Sequence, residues 1–285
     1  MKSASMILIA DSGSTKTDWI CLDEGISLRF RTQGLNPYFT ESTAIQSVLS
    51  EALAIKIPGI IPSRCYFYGS GCLAADRRTV VKKGLEAALP GAEITVETDL
   101  LGAARSLFGQ KSGIAVILGT GSNTGYYDGK AITAGLPSLG YVLGDEGSGA
   151  HLGKILLKYY MEEALPVELQ NKFEKEYRPD RAEILKAVYN QPFPNRYLAS
   201  FAVFLSQNLE HPFVEELVTD AFTYFFDRYI CRYSGYKKES IRATGAVAYY
   251  FRSALRKIAG QKKYRITKLT LSPLEGLAEF HKLSA

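Results

Sequence analysis

Long apolar runs, paired cysteines and clustered histidines are missing from this chain of 285 residues. No run approaches the ~20 apolar residues that span a bilayer, and the apolar stretch 6–10 is too short for the core of a signal peptide. The four cysteines include no C-x-x-C pair, and the three histidines show no metal-site spacing. These absences argue against a membrane protein, a zinc site and a disulfide framework. They predict a cytoplasmic protein whose thiols are buried or idle.

A concentrated charge of one sign is missing as well. The net charge of +5 is spread along the chain, and its basic clusters, such as Lys82-Lys83 and Lys262-Lys263, are short. A solvated face explains such clusters better than nucleic-acid binding, so we expect neither nucleic acid nor membrane among the partners. The mild positive bias would suit an anionic nucleotide.

The patterns that are present predict an α/β protein with a duplicated architecture. The length suggests two lobes, at roughly 150 residues per domain. Three short strands are followed by alternating helices and strands, and an apolar strand at 113–118 then restarts the same pattern. The first-lobe predictions are strands at 5–11, 17–23, 27–33, 65–69 and 93–97, and helices at 43–57, 74–89 and 101–108.

The second lobe carries a helical insertion. The segment 167–235 is almost entirely helical in pattern, and strands near Ile241 and at 267–271 enclose a helix at 246–259. We therefore predict lobes at 1–110 and 111–285. A final helix is expected at 274–283, and the segment 274–285 could pack back on the first lobe. An aromatic-rich helix is expected at 221–236 and could form a homodimer interface, although core packing is the stronger use for its phenylalanines.

A first candidate phosphate-binding turn follows the first strand, in the run Asp11-Ser12-Gly13-Ser14-Thr15-Lys16-Thr17. Small residues allow backbone amides to approach phosphate oxygens, while hydroxyls and Lys16 can add donors and charge. Asp11 would suit water-mediated coordination of Mg²⁺. A plain hairpin turn explains the run equally well, because its spacing does not fit the Walker pattern.

A second candidate turn is Gly119-Thr120-Gly121-Ser122-Asn123, again directly after an apolar strand. Its glycines allow a tight turn whose amides and hydroxyl could face phosphates. A hairpin turn is again the alternative. Two such turns at equivalent positions in successive lobes would grip a phosphate chain from both sides, and each therefore supports the other.

Three further positions could carry chemistry. Asp99, between a strand and a helix, could accept the proton of a substrate hydroxyl, or it could serve only as a helix N-cap. In the run 144–149, Asp145 could bind sugar hydroxyls, whereas Ser148 could cap the following helix and Glu146 could be solvated. Gly245 and Ala246 could let an adenine ring lie against the backbone, or they could serve close helix–strand packing.

Together these residues resemble the N-acetylglucosamine kinase family, which is grouped with the BadF/BadG-type ATPases inside the actin, hexokinase and Hsp70 superfamily. The resemblance covers essentially the whole chain in order, and its most specific parts are the runs 119–123 and 144–148. It implies two RNase-H-like lobes that close over a cleft, and ATP-dependent phosphorylation of an amino sugar, at the 6-hydroxyl, with Mg²⁺.

The resemblance also implies roles for individual residues. Asp99 looks like the general base. Asn36, Ser122, Asn123 and Asp145 look like the sugar-binding set, and Gly140 is the one match in a stretch that should face the sugar. The expected nucleotide contacts are Ser14, Thr15, Lys16, Thr120, Gly121, Gly245 and Ala246. N-acetylglucosamine, glucosamine and N-acetylmuramic acid all stay open as substrates.

Two other functions compete with a sugar kinase. An ATPase activator of the dehydratase type would need thiolates for an iron–sulfur cluster, and Cys65 and Cys72 are a conceivable pair. Neither cysteine follows the second turn, where cluster-bearing activators would place one. A sugar-sensing regulator would carry a DNA-binding segment ahead of the first strand, but that strand starts within a few residues of Met1. Both alternatives are therefore weaker than the kinase.

Overall fold

The computed structural model describes residues 6–23, 26–59, 61–178 and 180–283. The chain divides into two compact units. The first unit comprises Met1–Ser112, Tyr127–Ile132 and Ser272–Ala285, and the second comprises Gly113–Tyr126 and Thr133–Leu271. The turn that the sequence suggests at residues 24–25 lies outside the described residues.

The first unit begins with a mixed five-stranded sheet and its covering helices. Its elements are β1 (Ile7–Ser12), β2 (Lys16–Asp23), β3 (Ile26–Gln33), α1 (Ser42–Lys56), β4 (Arg64–Gly69), α2 (Ala75–Ala88), β5 (Glu93–Thr98) and α3 (Asp99–Phe108). The strand order is β3-β2-β1-β4-β5. The pairs β1–β2 and β2–β3 are antiparallel, whereas β1–β4 and β4–β5 are parallel. The predicted strands and helices of this unit are confirmed, with boundaries that move by one or two residues.

The second unit repeats this sheet and adds helices to it. Its elements are β6 (Gly113–Leu118), β7 (Ser122–Tyr127), β8 (Ile132–Gly135), α4 (Gly140–Leu143), α5 (Gly149–Met161), α6 (Val167–Tyr177), α7 (Arg181–Tyr189), α8 (Pro194–Ser200), α9 (Ala202–Gln207), α10 (Pro212–Arg228), β9 (Ile241–Thr244), α11 (Ala246–Tyr250), α12 (Arg252–Gln261) and β10 (Ile266–Thr270). The strand order is β10-β9-β6-β7-β8. Read from the other edge, it matches the order of the first sheet, with β8, β7, β6, β9 and β10 in the places of β3, β2, β1, β4 and β5. The helical insertion predicted over 167–235 is confirmed as α6 to α10, followed by two 3-10 turns.

The last helix, α13 (Leu274–Leu283), belongs to the first unit and packs against its sheet. Because side chains alternate along β1, Leu8 and Ala10 face a core shared with α1 and α2, while Ile7 and Ile9 face the opposite side. Leu277 on α13 is buried on that opposite side. Both faces of the first sheet are therefore covered, which explains why β1 is apolar at nearly every position.

Two predicted helices differ from the observed ones. The helix expected at 246–259 is interrupted at Phe251, which separates α11 from α12. The aromatic-rich stretch 221–236 is not one helix, because α10 ends at Arg228 and 3-10 turns follow at Ile230–Arg232 and Ser234–Tyr236. Phe222, Phe225 and Phe226 are buried in the core, as core packing requires. The homodimer interface stays a prediction.

The glycine-rich segment runs into a helix, as its pattern indicates: the short α4 ends at Leu143, and α5 begins at Gly149. The glycine-rich residues between the two helices therefore form a loop, which holds Asp145 and Glu146. No described helix is long and apolar enough to cross a membrane.

Candidate active site

The carboxyl ends of three parallel strands meet at one edge of the first sheet. Ser12 at the end of β1 is in register with Gly69 at the end of β4, and Gly69 is in register with Thr98 at the end of β5. The segments that leave these strands therefore start side by side, which is the usual position for ligand sites in sheets of this type. They contain the first candidate turn and Asp99.

The first turn is a tight hairpin connection between β1 and β2. The Gly13 amide donates to the Lys16 carbonyl at 2.9 Å, and the hydroxyls of Ser12 and Thr17 share a hydrogen bond of 2.8 Å beneath the turn. The Ser12 hydroxyl also accepts from the Leu35 amide at 3.2 Å. Lys16 lies 2.6 Å from the Asp18 carboxylate, so its charge is engaged by an ion pair.

Asn36 is fixed beside this turn. Its amide nitrogen donates to the Ser14 hydroxyl at 3.0 Å, and its carbonyl oxygen accepts from the Tyr38 amide at 3.0 Å. A second hydroxyl, that of Ser70, lies 3.4 Å from the same amide nitrogen. Sequence analysis missed Ser70, although the run Gly69-Ser70-Gly71 is another small-residue segment directly after a buried strand.

Asp99 is the first residue of α3 but not its N-cap. The cap is Thr98, whose hydroxyl accepts from the Leu101 amide at 3.2 Å. The Asp99 carboxylate accepts from the Leu100 amide at 2.8 Å. The N-cap interpretation of Asp99 is therefore wrong, because the neighbouring threonine already fills that role. Asp99 lies at the same sheet edge as the first turn.

Negative charge accumulates around Asp11. Burial, followed by the charges of Asp99 and Asp18, raises the pKa of Asp11 to about 7, and Lys16 lowers it in part. Carboxylates so close together favour a bound cation, and hard divalent ions prefer oxygen ligands. Asp11 thus offers carboxylate oxygens of the kind that Mg²⁺ prefers, but no group of three or more potential protein ligands surrounds a metal position in the described residues.

The second turn, after β6, is anchored on the start of α5. The Gly119 amide donates to the Gly121 carbonyl at 3.0 Å, which closes the turn. The carbonyls of Gly119 and Thr120 accept from the amides of Gly149 and Ala150 at 2.8 and 3.1 Å. In this way α5 fixes the conformation of the turn. The Asn123 side chain accepts from the Thr124 amide at 2.9 Å.

Asp145 is tied directly to the second turn. Its carboxylate accepts from the Ser122 amide at 3.1 Å, and a Cβ at Gly121 would come within 2.9 Å of it, so a larger residue there would displace the carboxylate. Asp145 is 9% exposed and has a left-handed φ of 59°. Burial raises its pKa despite the amide donor. A strained, buried carboxylate at a turn is typical of a binding site.

The loop around Asp145 contains two residues that behave differently from each other. Ser148 caps α5, since its hydroxyl accepts from the His151 amide at 3.2 Å, and this confirms the capping interpretation. Glu146 is half-buried and accepts a hydrogen bond from the Tyr229 hydroxyl, so the expectation of a solvated Glu146 is wrong. Tyr229 comes from α10's C-terminal end, far away in sequence, and no local signal indicates it.

Gly245 packs against the start of the second turn, whereas a Cβ at Gly140 would contact no atom of that turn. Gly245 follows β9 with a φ of 116°, and a Cβ there would collide with the Leu118 carbonyl and lie 3.2 Å from the Gly119 nitrogen. Close packing therefore requires this glycine, and Ala246 begins α11 next to it. Gly140 starts the exposed α4 and bonds through its carbonyl to the Gly144 amide at 2.8 Å.

Solved structures show what the chain is similar to. A candidate N-acetylglucosamine kinase from Porphyromonas gingivalis is 40% identical, with a TM-score of 0.90 over 97% of this chain and 98% of that one. A candidate N-acetylglucosamine kinase from Chromobacterium violaceum is 17% identical, with a TM-score of 0.75 over 98% and 99%. A ROK-family glucokinase from Streptomyces griseus, solved with glucose and AMPPNP, is 16% identical, with a TM-score of 0.56 over 96% and 98%.

No protein-family model matches the chain, and no curated protein sequence matches it either. The two sheets and their helices have the actin/hexokinase-type α/β fold, so the predicted fold class is confirmed. At 40% identity over nearly its full length, the chain belongs to the N-acetylglucosamine kinase family, a group of sugar kinases.

Proposed function

We propose that this chain transfers the γ-phosphoryl group of ATP to the 6-hydroxyl of an N-acetylglucosamine-like amino sugar in the cytoplasm. The observation that carries the proposal is the grouping of the first turn and Asp99 at one sheet edge, with Asn36 bonded to that turn. Membership of a sugar kinase family supports the same reaction class. The identity of the sugar rests on the Porphyromonas gingivalis relative, which is itself a candidate N-acetylglucosamine kinase.

In the first unit, Asp99 acts as the general base. Its carboxylate accepts the proton of the sugar hydroxyl while that oxygen attacks the γ-phosphorus and the bond to ADP breaks. Asn36 binds the sugar, and Ser14, Thr15 and Lys16 bind phosphate oxygens. The hydrogen bond from Asn36 to Ser14 holds the sugar-binding amide and the phosphate-binding turn in a fixed relation, which favours an aligned attack.

Asp11 would hold Mg²⁺, directly or through water. When bound, Mg²⁺ neutralises charge on the phosphate oxygens. Burial is the first cause of the raised pKa of Asp11, and the negative charges of Asp99 and Asp18, which add to it, support this role because a bound cation would offset them.

In the second unit, the turn after β6 supplies Thr120 and Gly121 to the phosphates. Ser122, Asn123, Asp145 and Gly140 bind the sugar, and the buried Asp145 carboxylate accepts hydrogen bonds from sugar hydroxyls. Gly245 and Ala246 contact the adenine. The hydrogen bond between Asp145 and Ser122 supports a shared task for the turn and the carboxylate.

The experiment that tests the reaction is a coupled assay of ADP release with Mg²⁺-ATP and a panel of amino sugars and hexoses. We expect ADP release that depends on N-acetylglucosamine, and a sugar phosphate detectable by mass. The 6-deoxy analogue of the same sugar should give no product, because it lacks the attacking hydroxyl. ADP release that ignores every sugar would contradict a kinase and favour an ATPase.

Asp99→Asn tests the general base. The amide cannot accept the proton, so we expect kcat to fall by about 10²- to 10⁴-fold while the KM for ATP changes little. The fold should persist, because Thr98 caps α3 independently. Asp76→Asn is the matched control, an exposed acid in the first turn of α2, and it should keep full activity. Normal kcat in Asp99→Asn would show that another group is the base.

A further inference from the structure

A cavity of about 420 Å³ lies in the first unit, outside every position proposed for the kinase. It is bounded by the second half of α3, by the turn that follows β7 and by the end of α13. Its lining residues are Arg105, Gln110, Tyr127, Asp128, Gly129, Lys130 and Phe280. The volume falls in the range of small-molecule sites, about 300–1,000 Å³.

Arg105 is the feature of this cavity that needs a partner. One guanidinium nitrogen donates to the Tyr68 hydroxyl at 2.9 Å, whereas the buried Nε has no hydrogen-bond partner within the described part of the chain. No ion pair joins Arg105 to a carboxylate among the residues that the structure describes. A partly buried charge without an opposite charge is costly, and buried charges in proteins are normally paired.

The aromatic rings and the hydroxyl in contact with Arg105 are neutral. Its guanidinium lies over the ring of Phe280 at 5.4 Å and near that of Tyr68 at 5.8 Å. The Tyr68 hydroxyl is also bonded to His281 at 2.9 Å. Burial lowers the pKa of His281 to about 4, with the charges of Arg105 and Arg64 adding to the effect, so this imidazole is uncharged at neutral pH. These contacts therefore leave the charge of Arg105 without a negative partner among the residues that the structure describes.

The turn after β7 adds a second cation. Lys130 is exposed and lines the cavity. Asp128 is the one carboxylate in the lining, and one of its oxygens accepts from the amides of Lys130 and Ala131 at 2.8 Å each, which lowers its pKa. Two cations thus face one carboxylate that is already engaged in its own turn. The cavity has a positive end, and Tyr127 and Phe280 give it an aromatic wall.

We propose that this cavity binds a small organic anion, whose carboxylate or phosphate group pairs with Arg105 and Lys130 and whose body lies against Tyr127 and Phe280. Because Arg105 lines the cavity, a charge-assisted bond from its guanidinium to the ligand would supply the opposite charge that no ion pair of the described residues supplies. The site is separate from the proposed catalytic residues, so its ligand is neither the sugar nor the nucleotide of the kinase reaction.

Fluorine NMR tests the proposal on the full-length protein. The probes are 4-fluorobenzoate and 4-fluorophenyl phosphate, with the uncharged 4-fluorobenzamide as reference. We expect saturable binding of at least one anion, at least about 10-fold tighter than that of the amide, and weaker at high salt. The tighter of the two anions identifies the preferred head group as carboxylate or phosphate.

Variants locate the binding. Lys130→Ala should weaken the anion about 5-fold, whereas Lys111→Ala, an exposed lysine outside the lining, should leave it unchanged. Arg105→Gln removes the charge and should abolish binding. If that variant does not fold, the affinities of the Lys130→Ala variant and of the exposed Gln110→Ala variant for the anion still show whether the anion binds in this cavity. The proposal would be overturned if 4-fluorobenzamide bound as tightly as the anions. It would also be overturned if Lys130→Ala left the affinity for the anions intact while Mg²⁺-ATP abolished their binding.

Discussion

His281 is a buried histidine on α13, only 5% exposed. Its ring stacks on Tyr66 with centroids 3.8 Å apart, and its Nε2 bonds to the Tyr68 hydroxyl. Burial, Arg105 and Arg64 all oppose a positive charge on the ring, which lowers its pKa from 6.5 to about 4. A single side chain of this kind makes the stability of the first unit depend on pH.

The sign of that dependence follows from the two pKa values. Above pH 6.5 the imidazole is neutral in both states, and between pH 6.5 and 4 only the unfolded chain binds the proton. Stability should therefore fall as the pH falls through this window, by at most about 2 kcal/mol for this residue after allowance for solvent screening. Urea unfolding at several pH values should show a flatter profile for His281→Gln than for the wild type.

A control variant separates the titration from other effects of changing α13. Lys282→Gln alters the exposed neighbour on the same helix and should keep the wild-type slope. His281→Gln should also lose some stability at every pH, because the stacking on Tyr66 is gone. Parallel profiles for His281→Gln and the wild type would show that this imidazole is not the titrating group.

Single residues also mark the limit of what the sequence predicts. An aspartate at position 99 is compatible with a helix N-cap or with a general base. The N-cap role is excluded only by Thr98, whose hydroxyl accepts from the Leu101 amide. The contact of Tyr229 with Glu146 joins residues 83 positions apart, so no local pattern indicates it. The turn residues themselves were predictable, because small residues after apolar strands are a local signal.

At the level of elements, the junction between β9 and α11 decides how the second unit is held together. Gly245 has a φ of 116°, its amide donates to the Thr270 carbonyl at 3.0 Å, and a Cβ at this position would collide with the Leu118 carbonyl oxygen. The end of β6, the end of β10 and the start of α11 therefore meet at one residue that has no side chain.

Gly245→Ala should destabilise this junction. The methyl group would collide with the Leu118 carbonyl, and alanine rarely adopts this φ, so we expect a loss of about 1–3 kcal/mol in urea unfolding. Gly260→Ala is the matched control. Gly260 lies in α12 with open space around it, and alanine there should stabilise the helix by about 0.5–1 kcal/mol. Similar effects of the two substitutions would show that Gly245 is not conformationally required.

Element prediction succeeded where periodicity is strong and failed where tertiary packing sets the ends. The strands β1 and β4 and the helices α1 and α2 follow their apolar patterns closely. The interruption of the helix at Phe251 was not predicted. The buried ring of Phe251 packs edge-on against Phe222 on α10, and this contact between different helices leaves no local sequence pattern. The pattern over 246–259 carries no proline that would signal a break.

For the whole molecule, the duplication was readable from the sequence, whereas the place of Tyr127–Ile132 in the first unit was not. The restart at an apolar strand predicted two similar sheets, and both sheets have the same strand order. The first unit, however, also includes Tyr127–Ile132 and Ser272–Ala285, so the chain enters it three times. Those two segments join through long-range contacts, such as the Tyr127 hydroxyl with the Gly109 carbonyl at 3.0 Å.

The cysteines of the whole chain bear on the competing function, an ATPase activator with an iron–sulfur cluster. Cluster ligands must be thiolates. Burial raises the pKa of the Cys21 thiol to about 11 and those of the Cys65 and Cys72 thiols to about 12. Among the described residues, no group of three or more potential ligands is placed to hold a metal ion. These thiols favour the protonated state, which suits packing rather than ligation.

We therefore expect protein purified without oxygen to be colourless, with no absorbance near 400 nm and no iron above background. Replacing the conceivable ligand pair in Cys65→Ala/Cys72→Ala should leave sugar-dependent ADP release intact, apart from a loss of stability, because both side chains are buried. Cys231→Ala, at the most exposed of the four thiols, is the control for removing a cysteine without opening the core. Stoichiometric iron that disappears in the double variant, together with ATP hydrolysis that no sugar stimulates, would replace the kinase with the activator.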